Sequence, residues 1–262
     1  MRAVLWAFCG LLLVFLIAPI LVVMVTSLND SQYMEFPPRT WSLRWYANFF
    51  GSAQWTGPAL LSVRVALVVS VCATVLGTLA AVGIVRGRFR GRQALEMFLI
   101  SPMIVPIVVM ALGLFFLFSA VHLLDSPVAL TLGHTVVATP LVIVLVRAGL
   151  RASDPALELA ARSLGANAWR TLIYVTLPAI RPSLAAAAVF AFLVSFDEVV
   201  VAIFVGGPAS TTLPKRMWET IRFEIDPTLT AVSSLLTLVA VFVLVVAAVV
   251  RRPGKRGAGL TV

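Results

Sequence analysis

Six long apolar runs dominate this sequence and limit what the chain can fold into. An α-helix rises about 1.5 Å per residue, so crossing a bilayer core of about 30 Å takes about 20 apolar residues. Each of the six runs is long enough, and none alternates as the strands of a membrane β-barrel do. We predict an all-α integral membrane protein with one transmembrane domain over residues 1–262, its six spans lying near residues 4–26, 58–85, 97–120, 128–150, 183–205 and 228–250.

The positive charges lie between these runs and indicate how the helices are oriented. Only 12% of the residues are charged, and the net charge is +9. Basic side chains are concentrated in residues 86–92, in residues 147–181 and after residue 250, which six spans place on the same side as the N-terminus. Cytoplasmic loops of membrane proteins carry such an excess of Lys and Arg. Both termini are therefore expected in the cytoplasm, and the pattern argues against nucleic acid as a partner.

The sequence offers little for catalysis, for a metal or for a cofactor. Cys9 and Cys72 both lie within apolar runs, where small buried hydrophobic residues are more usual than reactive thiols. His122 and His134 are isolated, so a packing or hydrogen-bonding role is favoured over a metal site or a catalytic site. The sequence also lacks the glycine-rich loop, followed by Lys and Ser or Thr, that binds nucleotide phosphates. The chain is therefore not expected to be an enzyme.

The cytoplasmic loop of residues 151–182 is the most informative segment. Asp154 and Pro155 suit the cap and the first position of a helix, and Gly165 suits its end. A second short helix is predicted to start at Asn167. The loop is therefore predicted to form a helix, a glycine turn and a second helix.

One face of the first of these helices is apolar. Its members recur at helical spacing and are Leu157, Ala160, Ala161 and Leu164. Such a face either packs onto the protein's own helices or docks on a partner, and the spacing is compatible with both.

The same loop resembles the signature of ABC-importer permeases, which reads Glu-Ala-Ala, three residues, Gly, nine residues, Ile-x-Leu-Pro. This chain keeps the spacing with Ala160-Ala161, Gly165 and Leu177-Pro178. Leu159 stands where the signature has Glu, and Glu158 lies one residue earlier. The resemblance implies that an ATPase subunit is coupled through this loop, with the contributing residues Glu158, Ala160, Ala161, Gly165, Leu177 and Pro178.

Three further stretches are similar to the permeases of spermidine/putrescine-type importers: residues 86–92, residues 195–198 and residues 206–214. The chain thus resembles the second permease subunit of such importers. The resemblance implies an ATP-driven importer of a polyamine or a similar small cationic solute in the bacterial inner membrane, with this multi-pass chain forming half of the translocation path. It also implies a second permease subunit, two ATPase subunits and an extracytoplasmic solute-binding protein as partners, with membrane lipid around them.

An ATP-independent channel or secondary carrier is the alternative function. Secondary carriers often contain two similar halves, and no repeat relates residues 1–125 to residues 126–262. A channel would also leave the ordered loop of residues 151–182 without a role.

Three charged residues fall inside the predicted spans: Arg64, Asp197 and Glu198. An ionisable group at mid-membrane costs about 2.5–3.5 kcal/mol unless it is paired or faces water. Counting along the helices places all three about 9–12 Å below the outer edge of the membrane. We expect one acid to pair with Arg64 and the other to face a wet translocation path.

The outer loop of residues 206–227 contains the start of a short amphipathic helix. Thr211, Thr212 and Pro214 precede it, and Trp218 lies near its apolar side. Thr211, Thr212 and Trp218 are candidate contacts for the binding protein. An interfacial helix resting on lipid is the alternative.

Overall fold

The computed structural model describes residues 2–33 and 35–250, including the side chains of all of these except residues 3 and 243–250. The C-terminal tail, with its basic residues, lies outside the described residues. The helices are α1 (Arg2–Thr26), α2 (Arg44–Gly51), α3 (Ala53–Arg86), α4 (Arg92–Ile100), α5 (Ile107–Ala120), α6 (Pro127–Ala152), α7 (Pro155–Ser163), α8 (Ala168–Thr171), α9 (Leu177–Ala179), α10 (Arg181–Asp197), α11 (Val200–Val205), α12 (Leu213–Phe223) and α13 (Thr228–Val250). Short 3₁₀ turns form at Ser101–Met103 and Pro208–Ser210, and a π-helical turn forms at Leu172–Thr176.

The described residues up to Thr56 and those from Glu219 onward form one compact unit. Within it α13 packs against α1 and α2. Ser27 Oγ lies 2.7 Å from the Tyr46 hydroxyl and accepts a hydrogen bond of 3.1 Å from Ser234 Oγ. These hydroxyls supply the polar contacts that helices in lipid use to associate.

Residues 57–218 form the second unit, which is organised around α6. This helix packs against α4, α5, α10 and α11. Its Leu130, Ile143 and Leu150 are fully buried. The approach of α3 to α6 requires a glycine, because a Cβ at Gly77 would lie 2.6 Å from Cγ1 of Val142. Small residues at helix crossings permit such close approach in membranes.

Three described helices are long and apolar enough to cross a membrane on their own: Val4–Thr26, Ala53–Arg86 and Pro127–Ala152. Two bent pairs could each supply one more: Arg92–Met103 with Ile107–Ala120, bent by 98°, and Ala168–Ala179 with Arg181–Asp197, bent by 79°. The part of α13 whose side chains are described, Thr228–Phe242, is a shorter apolar segment. The number of six spans, and the single domain, stay predictions.

Two of the expected spans are not continuous helices, because each contains a bend between two helices. The run at residues 97–120 breaks between Ser101 and Pro106 because proline lacks an N–H and disfavours helix in the residue before it. The run at residues 183–205 breaks after Asp197, where Glu198 has an extended backbone. Breaks of this kind are found in membranes where other groups satisfy the freed backbone atoms.

Candidate coupling loop and intramembrane acids

Helix α7 begins and ends as its sequence predicts. Asp154 Oδ1 accepts a hydrogen bond of 2.9 Å from the backbone N–H of Ala156. At the other end Gly165 has a φ of +88°, its N–H donates to Arg162 O, and the N–H of Ala166 donates to Ala161 O, both at 3.0 Å. This pair of bonds is the Schellman cap. A Cβ at Gly165 would contact nothing within 4 Å, so the glycine is required for its backbone angle and not for space.

The second half of the loop leads the chain back to the helix core. Asn167 Oδ1 accepts a hydrogen bond of 2.8 Å from Arg170 N–H and starts α8, as predicted. A π-helical turn and the short α9 follow. Leu177 packs against the buried core beneath this turn, and Pro178 is partly buried. These two signature residues therefore anchor the loop.

Glu158 points inward, against Arg86 at the end of α3. The carboxylate Oε1 accepts a hydrogen bond of 3.0 Å from Arg86 Nε, and Glu158 is only 8% exposed. Arg86 Nη2 also donates to Leu150 O at 3.0 Å and to Ser153 Oγ at 3.1 Å. Glu158 thus forms an internal ion pair in this structure, and Leu159 occupies the exposed position beside it.

Large apolar side chains of the loop face outward instead of packing on the protein's own helices. Leu164 is 89% exposed and Tyr174 75% exposed. Leu157 and Trp169 are also more than half exposed, and Ala160 is exposed with Ala161 partly buried. The sequence left two roles open for the apolar face: packing on the chain's own helices or docking on a partner. Leu157 and Leu164 are largely exposed, so packing on the chain's own helices is not observed for them.

The three charged residues predicted to lie inside the spans are not arranged as expected. Glu198 Oε1 accepts hydrogen bonds from the backbone N–H groups of Val200 at 2.8 Å and Val201 at 3.0 Å, and so caps α11. Asp197, the last residue of α10, is exposed, and so is Arg64. Among the residues the structure describes, neither acid forms an ion pair with Arg64 within 4.0 Å. The expected ion pair is therefore not formed among the described residues: Glu198 is used as a helix cap, and Asp197 and Arg64 are each exposed with no ion-pair contact between them within 4.0 Å.

A buried histidine lies close to the same break. His134 on α6 is 1% exposed, and its Nδ1 lies 3.0 Å from Ser195 Oγ on α10. The neighbouring Gly133 is in close contact with α11, since a Cβ there would lie 2.9 Å from Cγ1 of Val201. The hydrogen-bonding role expected for this histidine is confirmed, although its partner could not be read from the sequence.

Asp125 binds the loop that follows α11, a contact the sequence did not indicate. Its Oδ1 accepts from Gly207 N–H and Ser210 Oγ, both at 2.8 Å, and its Oδ2 accepts from Ala209 N–H at 3.2 Å. Desolvation opposes ionisation of this carboxyl, but the hydrogen bonds from Ser210, Ala209 and Gly207 together outweigh it and lower its pKa. Lys215 Nζ donates to Gly206 O at 2.8 Å and secures the same loop.

The outer-loop helix predicted from the sequence is present as α12. The three candidate contact residues differ in accessibility. Thr212 is buried, and Thr211 Oγ1 donates to Gly207 O at 2.9 Å, whereas Trp218 is exposed. Of the three, Trp218 presents the most surface for a partner.

A family model matches most of the chain, over residues 73–255, and is described as the inner membrane component of binding-protein-dependent transport systems. The chain belongs to this family. The inner-membrane transport component described here is accordingly a permease subunit of an ABC importer.

Two relatives are similar in sequence to this chain over most of its length. The transport component is 34% identical over 229 residues to the putrescine transport system permease protein PotI of Escherichia coli K12, covering 85% of this chain and 81% of that one. It is 29% identical over 245 residues to the spermidine/putrescine transport system permease protein PotC of Shigella flexneri, covering 94% and 92%.

Solved structures share the fold of this transport component. A chain of a bacterial ABC transporter that imports the acidic polysaccharide alginate matches with a TM-score of 0.74 at 15% identity, over 96% of this chain and 95% of that chain. A chain of an amino acid ABC transporter matches with a TM-score of 0.58 at 15% identity, over 77% and 96%. At this identity the likeness extends to the fold alone.

Replacing Asp125 with Ala is expected to destabilise the protein, because three donors lose their acceptor. The expected cost is about 1 kcal/mol or more, which lowers Tm by about 2–4 °C in a chain of this size. Thermal unfolding of the purified protein measures the change, and Asp30→Ala, which removes an exposed carboxylate, is the control.

The lowered pKa of Asp125 determines how the loss of stability in Asp125→Ala depends on pH. The stabilisation from Asp125 is fully present above the unfolded pKa, near the ordinary value of 3.8, and is lost as pH falls through the lower folded value. The difference in Tm between the wild type and Asp125→Ala should therefore be equal at pH 6 and pH 8. A difference that disappears between these two values would contradict the assignment.

Proposed function

We propose that this chain is one of two permease subunits of an ATP-driven importer for a polyamine or a similar small cationic solute. The names of PotI and PotC support the solute class, and the family supports the dependence on a binding protein. The complex would contain a second, different permease subunit, two ATPase subunits and an extracytoplasmic solute-binding protein. The ATP-hydrolysing activity belongs to the ATPase subunits.

The proposed topology has six spans and both termini in the cytoplasm. The spans are α1, α3, α5 entered through α4, α6, α10 continued by α11, and α13. An even number of crossings returns the chain to its starting side, and the basic residues at 86–92 and 147–181 favour the cytoplasm for that side.

The observation that carries the function is the ordered loop of residues 151–182 with its exposed apolar side chains. A cluster of large apolar residues on a capped helix, outside the predicted spans, favours a protein partner. Leu157 and Leu164 lie on α7 and just after it, and Trp169 and Tyr174 follow on the second half of the loop. Such a helix can seat its apolar face in a groove of the ATPase subunit.

Asp197 is the residue proposed to face the translocation path. With Glu198 used as a cap, Asp197 is the carboxylate at the break that is left exposed. It ends α10, where the unsatisfied carbonyl groups of the last turn add negative potential. A carboxylate at this depth requires water or a cationic group beside it, and an amino group of a polyamine meets that requirement.

Replacing Gly165 with Val should uncouple ATP hydrolysis from uptake. A β-branched residue at a φ of +88° is strained by about 1–2 kcal/mol, so the turn between the two helices is destabilised. Uptake of radiolabelled putrescine and ATPase activity are measured together on reconstituted complexes. Uptake should fall about tenfold or more for the same amount of assembled permease.

Gly91→Val is the matched control for this experiment. Gly91 has a φ of +85° and, like Gly165, no atom within 4 Å of an added Cβ, but it lies between α3 and α4. It imposes the same strain outside the coupling loop. Equal losses of uptake in both variants, or normal uptake in Gly165→Val, would count against the coupling role.

The two intramembrane acids should respond differently to removal of their charge. Asp197→Asn should slow putrescine uptake about tenfold, equivalent to about 1.4 kcal/mol, because the path loses its carboxylate. Glu198→Gln keeps an oxygen that can accept from Val200 and Val201 and should transport close to the wild type. Both variants are compared at equal amounts of assembled complex. The reverse order of effects would refute the assignment of Asp197 to the path.

A further inference from the structure

One guanidinium joins three segments at the cytoplasmic end of the second unit. Arg86 is the last residue of α3, Leu150 lies in the last turns of α6, and Glu158 lies in α7. Arg86 Nε donates to the Glu158 carboxylate at 3.0 Å, while Nη2 donates to Leu150 O at 3.0 Å and to Ser153 Oγ at 3.1 Å. The planar fork of an arginine can hold several acceptors in fixed directions, which the point charge of a lysine cannot do.

The packing between α3 and the loop is open beside this pair. A cavity of about 420 Å³ lies beside it, lined by Val82 and Gly83 from α3 and by Trp169, Thr171 and Thr176 from the loop. Close packing transmits displacement between helices because filled interiors are poorly compressible. Where a cavity intervenes, displacement is transmitted by the contacts that cross the gap, and the Arg86–Glu158 pair is such a contact.

The position of the acid in the signature supports the same conclusion. In the signature that this loop resembles, Glu stands at the position of residue 159. This chain has Leu159 at that position, and its side chain is exposed. Glu158 is one residue earlier, about 100° around the helix, and is buried against Arg86. The shift of one residue therefore turns the carboxylate from the outer surface of α7 to its inner side.

We propose that Arg86 and Glu158 form the link through which movement of the docked α7 is transmitted to α3 and α6. Arg86 is a positioning residue in this proposal, since it acts through the placement of α7 and touches neither solute nor nucleotide. The proposal rests on the proposed function, in which α7 docks on an ATPase subunit. It assigns coupling to a contact inside this chain, in addition to the surface that meets the ATPase.

The test is a double-mutant cycle on the complete transporter reconstituted in liposomes with its binding protein. The variants are Arg86→Ala, Glu158→Ala and the double variant. Three quantities are measured: the amount of ATPase that co-purifies, ATP hydrolysed, and radiolabelled putrescine taken up. Each single variant should retain the ATPase but lower uptake per ATP about tenfold, and the double variant should be no worse than either single one.

Arg88→Ala is the matched control, because Arg88 is exposed two residues further along the same basic segment. It should leave uptake per ATP unchanged. If the alanine variants fail to reach the membrane, two milder substitutions test the proposal instead. Glu158→Gln keeps an acceptor for Arg86 and should transport within about threefold of the wild type, whereas Arg86→Lys cannot span all three acceptors and should be impaired about as much as alanine.

Three results would overturn the proposal. They are normal uptake per ATP in both single variants, losses that multiply in the double variant, and loss of ATPase co-purification, which would make the pair part of the docking surface. Failure of the proposed function is seen separately in the wild-type complex, as absence of bound ATPase or of ATP-dependent putrescine uptake.

Discussion

The hydrogen bonds of Arg86 join the loop of residues 151–182 to the ends of α3 and α6. The guanidinium fixes the carboxylate of Glu158 and the end of α6 in one arrangement. Both charged side chains are mostly shielded from solvent, so removing one would leave the other buried without its partner, which is costly. In the same loop Leu164 and Tyr174 are largely exposed. The loop therefore combines a shielded ion pair with exposed apolar side chains.

A second constraint is that every break in a membrane helix must satisfy the backbone groups it frees. The break after Asp197 does so with the carboxylate of Glu198, which binds the first N–H groups of α11. Ser126 plays the corresponding part at the start of α6, where its Oγ accepts from Ala129 N–H at 3.1 Å. Because Glu198 is committed to the backbone, Asp197 is left available. The capping of α11 therefore determines which of the two adjacent acids keeps an exposed carboxylate.

The sequence was sufficient for features that depend on local chemistry. Apolar run length predicted where the helices lie, and the Asp154 cap, the Gly165 turn and the Asn167 start were all confirmed. The bends were not predicted, because a proline such as Pro106 is tolerated in some membrane helices and breaks others, depending on what surrounds it.

Contacts between distant parts of the chain were the ones that sequence reasoning missed. Arg86 and Glu158 are 72 residues apart, and Asp125 and Gly207 are 82 apart. Neither pair has a local pattern, and a basic segment or a lone loop aspartate is compatible with many partners. The same limit applies to the ion pair that the sequence predicts for Arg64. Depth restricts a residue to a layer of the membrane but does not determine which neighbour it contacts.

Site-directed crosslinking from Leu164 is the most direct test of the claim that the loop docks on an ATPase subunit. In a background without Cys9 and Cys72, a cysteine is placed at Leu164, the most exposed large apolar residue described in the loop. A cysteine at Val121, exposed between α5 and α6, is the comparison. We predict an adduct between Leu164→Cys and the ATPase subunit in transport-active membranes and none from Val121→Cys. Absence of the adduct from Leu164→Cys in an active complex, or equal adducts from both positions, would contradict it.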